Sequence, residues 1–378
     1  MSCGGVSCGP LLLLVVAFAG CSSSEAIAPR AVTDGGAAPD PALPQEQAES
    51  AATDAASTKD AGAGDAPRSC DRPLVGGPAS APYAFTLGGQ KAWSHDDGFA
   101  AGYFHTYDAL DVSPGSEAAH KAHVLLPRGY APCDGGYPVV YMNDGQTTFW
   151  TGGAVAKSWR VAEALDALYR AGEVPKVIVV AIVPNDRDFE YSYASAGPGK
   201  SCCGADPYTT YLADHLKPFI DANYRTRSGR DDTAIIGSSR GGLSAFYVAT
   251  RRPGVFGKAG CLSPSFWAGL DPVYGGALAG GALADSGLVA PVKGTLADAA
   301  KRPRLWIDWG LLRTGGFGND TIEAAATRRG KEMVTLLQGT FGYAVPTELT
   351  WEEDPTGGHD EDAWARRFPR VMKALFGR

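Results

Sequence analysis

Ser239 is the residue of this 378-residue chain whose neighbours point most directly to chemistry. It is the central residue of "GSSRG" (237–241), which fits the pattern G-x-S-x-G. The apolar run "TAIIG" precedes the turn, and the helical stretch "GLSAFYVATRR" follows it. Between a strand and a helix, small neighbours allow a strained backbone to expose the central serine as a nucleophile. We therefore expect Ser239 to be the nucleophile and Ser238 to have only a packing role.

A serine hydroxyl needs a base, and in strand–serine–helix sites the histidine comes last along the chain. His359 lies in "DPTGGHDEDAW", a loop between the last predicted strand and the last predicted helix, directly after two glycines. Such a loop can carry the imidazole over the sheet edge to Ser239. The amide of Arg240, at the start of the next helix, is expected to donate to an oxyanion. The five other histidines all precede Ser239 and are interpreted as structural.

The elements that must position these residues alternate between strands and helices. Short apolar runs predict strands at 122–127, 137–144, 176–183, 233–237, 304–310 and 347–354. Helical patterns occur at 158–172, 208–224, 242–252, 321–339 and 361–377. This order is typical of an α/β domain with a largely parallel sheet, here expected over 70–378. Residues 70–120 fit either antiparallel edge strands or a small cap.

Four segments carry a resemblance to a known family: 137–150 ("YPVVYMNDGQTTFW"), 185–194 ("NDRDFEYSYA"), 237–267 and 357–377. They closely resemble the putative esterase family of the α/β-hydrolase superfamily, and the similarity extends over 122–376. That family includes siderophore esterases, feruloyl and acetyl xylan esterases, S-formylglutathione hydrolase and mycolyltransferases. The resemblance implies an α/β-hydrolase fold, with a mostly parallel central sheet and helices on both faces. It also implies a serine esterase with no metal and no organic cofactor.

The resemblance also implies a second oxyanion donor, from the loop after "VVYMNDG". Gly145 or Gln146 would supply that amide here. The chain departs from the family at Arg240, where Met or Leu is usual. The backbone amide is unaffected by this difference, but the wall of the pocket is expected to become cationic.

The acid of the triad is the least defined member. Relatives place Asp or Glu about three residues after a strand-ending glycine, but here Gly310 is followed at that distance by Arg313. The loop "GLLRTGGFGND" is extended, and an acid displaced to Asp320 would complete the triad. Asp320 and Glu323 also fit a helix capping box. Asp308 is the alternative acid, and a Ser–His dyad without a carboxylate also remains open.

We expect a carboxylic ester as the substrate, either a small molecule or a group linked to a polysaccharide. Aromatic side chains on loops at the sheet edge, together with one arginine, would suit an aromatic or sugar-bearing ester: Trp150, Arg187, Tyr191, Phe266 and Trp267. Arginines at 187, 240 and 313 would favour an anionic ester, such as that of a siderophore. An acyltransferase of the same fold and a catalytically inactive binding lipoprotein are the alternative functions.

The N-terminus resembles a bacterial lipoprotein signal, with an apolar run in residues 1–21 that ends at Cys21. We expect export and lipidation of Cys21, with an outer-membrane anchor. Residues 22–69 are rich in Ala, Ser, Pro and acidic residues, which predicts a disordered linker. The net charge of −7 gives no indication of a nucleic-acid partner. The adjacent Cys202 and Cys203 are not expected to pair with each other.

Overall fold

The computed structural model of the protein describes residues 75–113, 115, 118–131, 135–153, 156–275 and 280–377. The expected signal segment with Cys21 and the expected linker lie outside the described residues.

A single large sheet forms the centre of the described part of the chain, and its ten strands there follow the order β1-β2-β3-β4-β6-β5-β7-β8-β9-β10. Their bounds are β1 (Tyr83–Leu87), β2 (Gln90–His95), β3 (Gly102–Leu110), β4 (His120–Pro127), β5 (Val139–Met142), β6 (Ile178–Val183), β7 (Thr233–Ser238), β8 (Lys258–Leu262), β9 (Arg304–Gly310) and β10 (Leu349–Asp354).

Strands β5 to β10 pair with one another in parallel, whereas β1 to β4 pair with one another antiparallel. The two parts of the sheet are joined by the antiparallel pair of β4 and β6. The continuous apolar sequence of β6, "IVVAIV", is buried along most of its length, as a strand covered on both faces requires. The first strands form the antiparallel edge that the sequence left open as one of two alternatives.

The helices of the described residues connect and cover these strands. They are α1 (Gly145–Thr148), α2 (Val161–Arg170), α3 (Arg187–Glu190), α4 (Ala205–Thr210), α5 (Lys217–Asn223), α6 (Arg240–Arg251), α7 (Lys293–Ala297), α8 (Ile322–Gly339) and α9 (Glu361–Phe376). The single helix expected at 208–224 is divided, because a π-helical segment (Tyr211–Leu216) joins α4 to α5. Pro218 lacks an amide hydrogen, so one hydrogen bond of the α-helical ladder is missing where the π-helical segment meets α5.

Two apolar cores lie on opposite faces of the sheet, and the pleat of β5 shows the division. Val139 and Tyr141 belong to one core, whereas Val140 and Met142 belong to the other. Residues of α4 to α6 and α8 complete the first core, and residues of α2 and α9 complete the second. Since successive side chains of a strand point to opposite faces, each of the strands β5 to β9 supplies both cores. This arrangement fixes the strand ends from which the site is built.

Cys202 and Cys203 form a disulfide with each other, so the expectation that they do not pair is wrong. The backbone turns at Cys203, where φ is 79°, and the Cys203 amide donates to the carbonyl of Ser192 over 2.9 Å. This turn brings the two side chains together. Cys261, on β8, is a buried free thiol.

A search of the described residues for a helix that is long and apolar enough to cross a membrane finds none.

Candidate active site

Ser239 lies at the corner between β7 and α6, in a backbone conformation that residues other than glycine rarely adopt. Its φ is 55° and its ψ is −121°. A Cβ added to Gly237 would lie 2.4 Å from the carbonyl oxygen of Gly241, so strand and helix approach too closely for a side chain there. The Ser239 amide donates to the carbonyl of Leu262 over 2.9 Å. The corner therefore holds Ser239 at the carboxyl end of the parallel strands.

His359 lies directly against this serine, with 2.9 Å between His359 Nε2 and Ser239 Oγ. Both residues are buried, at 7% and 8% exposure. The His359 amide donates to Asn319 Oδ1 over 2.8 Å, which fixes the loop between β10 and α9. A Cβ on Gly358 would lie only 2.7 Å from the same oxygen, so a larger residue there would displace the Asn319 side chain that fixes the loop.

Glu323, in the first turn of α8, holds the other side of the imidazole. Its Oε2 lies 2.6 Å from His359 Nδ1. Its Oε1 accepts hydrogen bonds from the Ser263 hydroxyl, over 2.9 Å, and from the amide of Gly310. The side chain is fully buried, so these bonds fix the carboxylate in one orientation. The structure therefore contains a Ser239–His359–Glu323 chain of hydrogen bonds.

Asp320 does not contact His359, which corrects the expectation that it supplies the acid. Asp320 is exposed in the turn before α8. The expected capping box is not formed either, because Thr321 is the N-cap and has no side-chain cap hydrogen bond. The extended loop continues past Asp320 to the start of α8. The carboxylate that reaches the imidazole therefore belongs to the first turn of α8 and not to the loop. Glu323 was visible in the sequence, but the capping pattern explained it equally well.

Asp308, the alternative acid, lies beneath the site and contacts other groups. It accepts a hydrogen bond from Trp306 Nε1 over 2.7 Å, and its Oδ1 lies 3.3 Å from Arg367 Nε. Both members of this ion pair are fully buried. Burial raises the pKa of Asp308 to about 6, and the charge of Arg367 opposes that rise. Asp308 therefore supports the floor of the site.

Ser263 connects this floor to Glu323, and no pattern in the sequence pointed to it. Besides donating to Glu323, the Ser263 hydroxyl accepts hydrogen bonds from Trp364 Nε1, over 3.1 Å, and from Arg367 Nη2, over 2.8 Å. Ser265 was also missed, and its Oγ lies 3.4 Å from Ser239 Oγ. Both serines follow β8, so the stretch "LSPSFW" supports the site from below.

The expected oxyanion donors lie at two helix starts. Arg240 is the first residue of α6, and Gly145 and Gln146 begin α1. The first amides of a helix have no acceptor within that helix. Gln146 lines the cavity that contains Ser239, whereas a Cβ on Gly145 would lie 2.8 Å from the backbone of Ile182. Of the two residues after Asp144, Gln146 is the one that lines the cavity, and its amide is therefore used as the second donor in the mechanism proposed below.

An ion pair fixes the turn before α1. Asp144 has a φ of 61°, and its carboxylate receives a two-pronged contact from Arg187, at 2.6 and 2.9 Å. The Asp144 amide donates to the hydroxyl of Tyr191 over 3.0 Å. Two fixed donors on one carboxylate define both the position and the orientation of the turn. Arg187 and Tyr191 thus support the expected oxyanion loop.

The side chain of Arg240 points away from the cavity, which corrects the expectation of a cationic wall at this position. Arg240 Nη1 lies 2.9 Å from Asp188 Oδ1 and 3.2 Å from the Ser192 hydroxyl. The guanidinium is almost fully buried, and this burial lowers its pKa. Its charge is compensated by Asp188 rather than presented to a ligand.

The cavity beside Ser239 has a volume of ≈ 210 Å³. Its lining combines the candidate catalytic groups with apolar and polar side chains: Asp144, Gln146, Thr147, Gly153, Arg187, Ser238, Ser239, Tyr274, Phe317, Ile322, His359, Glu361 and Trp364. Phe317 is 70% exposed and Tyr274 is 38% exposed, so two aromatic rings lie at the edge of the cavity.

Of the five residues expected to form the pocket, only Arg187 lines this cavity. Trp150 packs against Phe104 and His123. Tyr191 is fully buried behind Asp144, and Phe266 and Trp267 are fully buried in the first core. The position of a residue after a parallel strand places it near the sheet edge but leaves the direction of its side chain undefined.

The described residues contain no group of three or more His, Cys, Asp or Glu side chains arranged to hold a metal ion.

The fold and the arrangement of the site define an α/β-hydrolase. The family described as "Putative esterase" matches residues 113–375, most of the chain, and the chain belongs to this family. Both the family and the fold class were predicted from the sequence, and both predictions are confirmed.

Two curated relatives and one solved structure illustrate the similarity. The Bacillus subtilis protein YbbA, described as uncharacterized, is 28% identical over 168 residues, covering 40% of this chain and 62% of YbbA. The endo-1,4-beta-xylanase/feruloyl esterase of Xylanibacter ruminicola is 33% identical over 150 residues, covering 38% of this chain and 19% of that protein. The structure of an IroE-like serine hydrolase from Shewanella oneidensis matches with a TM-score of 0.53 at 20% identity, over 72% of this chain and 80% of that one. The chain thus spans less than two thirds of the length of these curated relatives.

Proposed function

We propose that the protein is a serine esterase that hydrolyses a carboxylic ester through an acyl-enzyme intermediate. The observation that carries this proposal is the continuous chain from Ser239 Oγ to His359 Nε2, at 2.9 Å, and from His359 Nδ1 to Glu323 Oε2, at 2.6 Å. Nucleophile, base and acid are the three roles that this chemistry needs, and each is filled by a buried residue.

In the first step, Ser239 Oγ forms a bond to the ester carbonyl carbon while its proton passes to His359 Nε2. The carbonyl π electrons move to oxygen, and the amides of Arg240 and Gln146 stabilise the resulting oxyanion. When this intermediate collapses, the bond between the carbonyl carbon and the alcohol oxygen breaks. His359 gives its proton to the departing alcohol, and the acyl group stays on Ser239.

In the second step, water replaces the alcohol. His359 takes a proton from water, the hydroxide oxygen bonds to the acyl carbon, and Ser239 leaves with the proton returned by His359. Throughout, the Glu323 carboxylate accepts a hydrogen bond from His359 Nδ1 and offsets the charge of the transient imidazolium. The presence of all three groups, Ser239, His359 and Glu323, supports an active enzyme rather than the alternative of a catalytically inactive binding lipoprotein.

The test is covalent labelling of the full-length chain by a fluorophosphonate, together with hydrolysis of p-nitrophenyl acetate. We expect one label per chain, mapped to Ser239 by peptide mass spectrometry, and loss of both label and turnover in Ser239→Ala. Ser238→Ala is the matched control, because it removes the adjacent hydroxyl, and it should keep the label. An unlabelled chain without turnover would overturn the proposal.

For the substrate, we propose an ester that carries an aromatic or sugar group. Phe317 and Tyr274 support this class, because they present two ring surfaces at the edge of the cavity. The relative from Xylanibacter ruminicola bears the name feruloyl esterase, which points the same way. Comparing kcat/KM for acetyl and feruloyl esters of one alcohol tests this, and an unchanged value on Phe317→Ala would contradict it.

We also propose that the protein is exported and anchored through lipid on Cys21. The apolar run that ends at this cysteine motivates the proposal. Labelling of the full-length chain with a palmitate analogue in a bacterial host should be lost in Cys21→Ser and kept in Cys8→Ser. Equal labelling of Cys21→Ser and the unmodified chain would refute the anchor.

A further inference from the structure

Two residues that line the Ser239 cavity each carry a buried acceptor atom without a hydrogen-bond donor. Gln146 Oε1 and Glu361 Oε2 have no partner within the described part of the chain, and both residues line the cavity. Leaving a buried acceptor unsatisfied costs about 1–3 kcal/mol, and more when the group is charged. Such atoms at the wall of a cavity are suited to a donor that arrives with a ligand.

The charges of the lining indicate which donors fit. The positive charge of Arg187 is taken up by its two-pronged contact with Asp144. Glu361 then remains as a carboxylate without a cationic partner among the described lining residues. Arg313 faces the carbonyls of Gly310 and Leu312 and the hydroxyl of Thr327. The cavity therefore carries an excess of negative charge, contrary to the expectation of an anionic substrate.

The position of Glu361 in the chain ties it to the reacting groups. It is the first residue of α9, two positions after His359, with Asp360 as the N-cap between them. A Cβ on Gly153 would lie 3.9 Å from Glu361 Oε1, so the absence of a side chain at Gly153 leaves space beside the carboxylate. Burial raises the pKa of Glu361, and the nearby Asp144 carboxylate adds to this rise, whereas a hydrogen bond from the residue's own backbone amide opposes it.

We propose that Gln146 and Glu361 form a donor-binding subsite, which selects esters bearing a hydroxyl or ammonium group near the scissile bond and disfavours esters bearing a carboxylate. This proposal rests on the proposed esterase function, because it specifies the substrate class of the same cavity. The hydroxyl or ammonium group donates to the two acceptors, while the ester carbonyl lies against Ser239. No covalent step beyond ester hydrolysis is involved.

The test uses two series of matched esters. In the alcohol series, acetate esters of benzyl alcohols carry methyl, hydroxymethyl, aminomethyl or carboxylate at the para position. In the acyl series, the same four groups are carried by the ring of ethyl phenylacetates. A methylene separates the ring from the ester in both series, so differences in kcat/KM report binding of the para group rather than reactivity.

We expect the full-length protein to prefer the aminomethyl ester to the methyl ester by roughly tenfold in one of the two series, the size expected of one hydrogen bond to a charged group. The hydroxymethyl ester should fall between them, and the carboxylate ester below. Glu361→Gln keeps an acceptor but removes the charge, so it should abolish the aminomethyl preference and keep the hydroxymethyl preference. Asp362→Asn is the matched control, because Asp362 is exposed and pairs with Lys157 at 2.7 Å.

Equal kcat/KM values for methyl and aminomethyl esters in both series would overturn the subsite. An aminomethyl preference unchanged by Glu361→Gln would overturn it as well. Dissociation constants for the same esters, measured by calorimetry on Ser239→Ala, separate this inference from the esterase proposal. A preference in binding without any hydrolysis by the unmodified protein would support the subsite and refute the esterase function. Hydrolysis by the unmodified protein, with no preference in kcat/KM or in the dissociation constants, would support the esterase function and refute the subsite.

Discussion

Glu323 Oε2 lies 2.6 Å from His359 Nδ1, and the carboxylate that contacts the imidazole therefore comes from the first turn of a long helix rather than from the loop that precedes it. The same carboxylate also accepts a hydrogen bond from the Ser263 hydroxyl over 2.9 Å. The imidazole is thus oriented by a group that is itself held on its other oxygen. This relationship yields the first prediction.

Glu323→Gln should reduce kcat by a factor on the order of 10³–10⁴, the range associated with loss of a triad acid. The amide keeps the shape of the side chain but cannot offset the charge of an imidazolium. Asp320→Asn is the matched control and should retain activity near that of the unmodified protein. Steady-state kinetics on p-nitrophenyl acetate measure both, and a large loss in Asp320→Asn with none in Glu323→Gln would contradict the assignment.

Asp308→Asn should mainly affect stability. It leaves Arg367 buried without the charge at 3.3 Å, and breaking such a pair costs about 3–5 kcal/mol. Replacing both residues, Asp308→Asn with Arg367→Met, should recover part of that loss, because the buried guanidinium is removed together with the charge at 3.3 Å. Asp354, which lies 3.7 Å from Arg367, keeps its contact with Arg366. Urea denaturation gives the free energies of unfolding. Full additivity of the two single variants would show that the residues do not interact.

Gly237→Ala should destabilise the corner that carries Ser239. The new Cβ would lie 2.4 Å from the Gly241 carbonyl oxygen, so strand and helix must separate, at a cost of at least about 2 kcal/mol. Gly254→Ala is the matched control, since nothing lies within 4 Å of a Cβ there. Thermal unfolding and fluorophosphonate labelling should both distinguish the two variants. Equal melting temperatures would argue against the close approach.

His105 should make the protein less stable in acid. Burial lowers its pKa to about 4, and the neutral ring donates from Nε2 to the Gly76 carbonyl over 2.6 Å. Because the pKa is depressed in the folded state, this stabilisation is complete above pH 6.5 and is lost as the pH falls towards 4. It amounts to up to about 3 kcal/mol.

His105→Gln should therefore flatten the fall in the free energy of unfolding between pH 6.5 and pH 4. Asp308, whose pKa is raised in the folded state, changes the free energy of unfolding in the opposite direction over the same pH range. The contribution of His105 is therefore obtained from the difference between the free energies of the variant and of the unmodified protein. Urea denaturation at several pH values gives both curves. Parallel curves would exclude His105 as a source of the acid sensitivity.

The sequence predicted the parts of the site that depend on local structure. Ser239 is displayed by a strand, a turn and a helix that are contiguous, and His359 lies in a loop whose glycines fit the close contact with Asn319. The parallel strands could also be predicted, because a continuous apolar run such as that of β6 is typical of a strand that is covered on both faces. The antiparallel edge remained open, since residues 70–120 fit either edge strands or a small cap.

The remainder depends on tertiary contacts that one sequence does not encode locally. Whether Asp320 or Glu323 reaches the imidazole is decided by the path of the loop before α8. Trp150 and Trp267 follow strands at the expected edge, but the packing around them determines where their rings point. The charge of Arg240 is visible in the sequence, whereas its compensation by Asp188, 52 residues earlier, is not.

The attachment of Glu323 to a helix has a consequence for how such a protein can change. Residues 314–317, in the loop before α8, include Phe317, whose ring is 70% exposed beside the cavity. Asn319, which fixes the His359 loop, is bonded to the carbonyl of Thr314, so the path of this stretch is constrained. The exposed side chain of Phe317 can change, however, while the carboxylate anchored from α8 keeps the proton-transfer geometry in place. Substrate selectivity can then change during evolution through this side chain, without changes to the residues that transfer the proton.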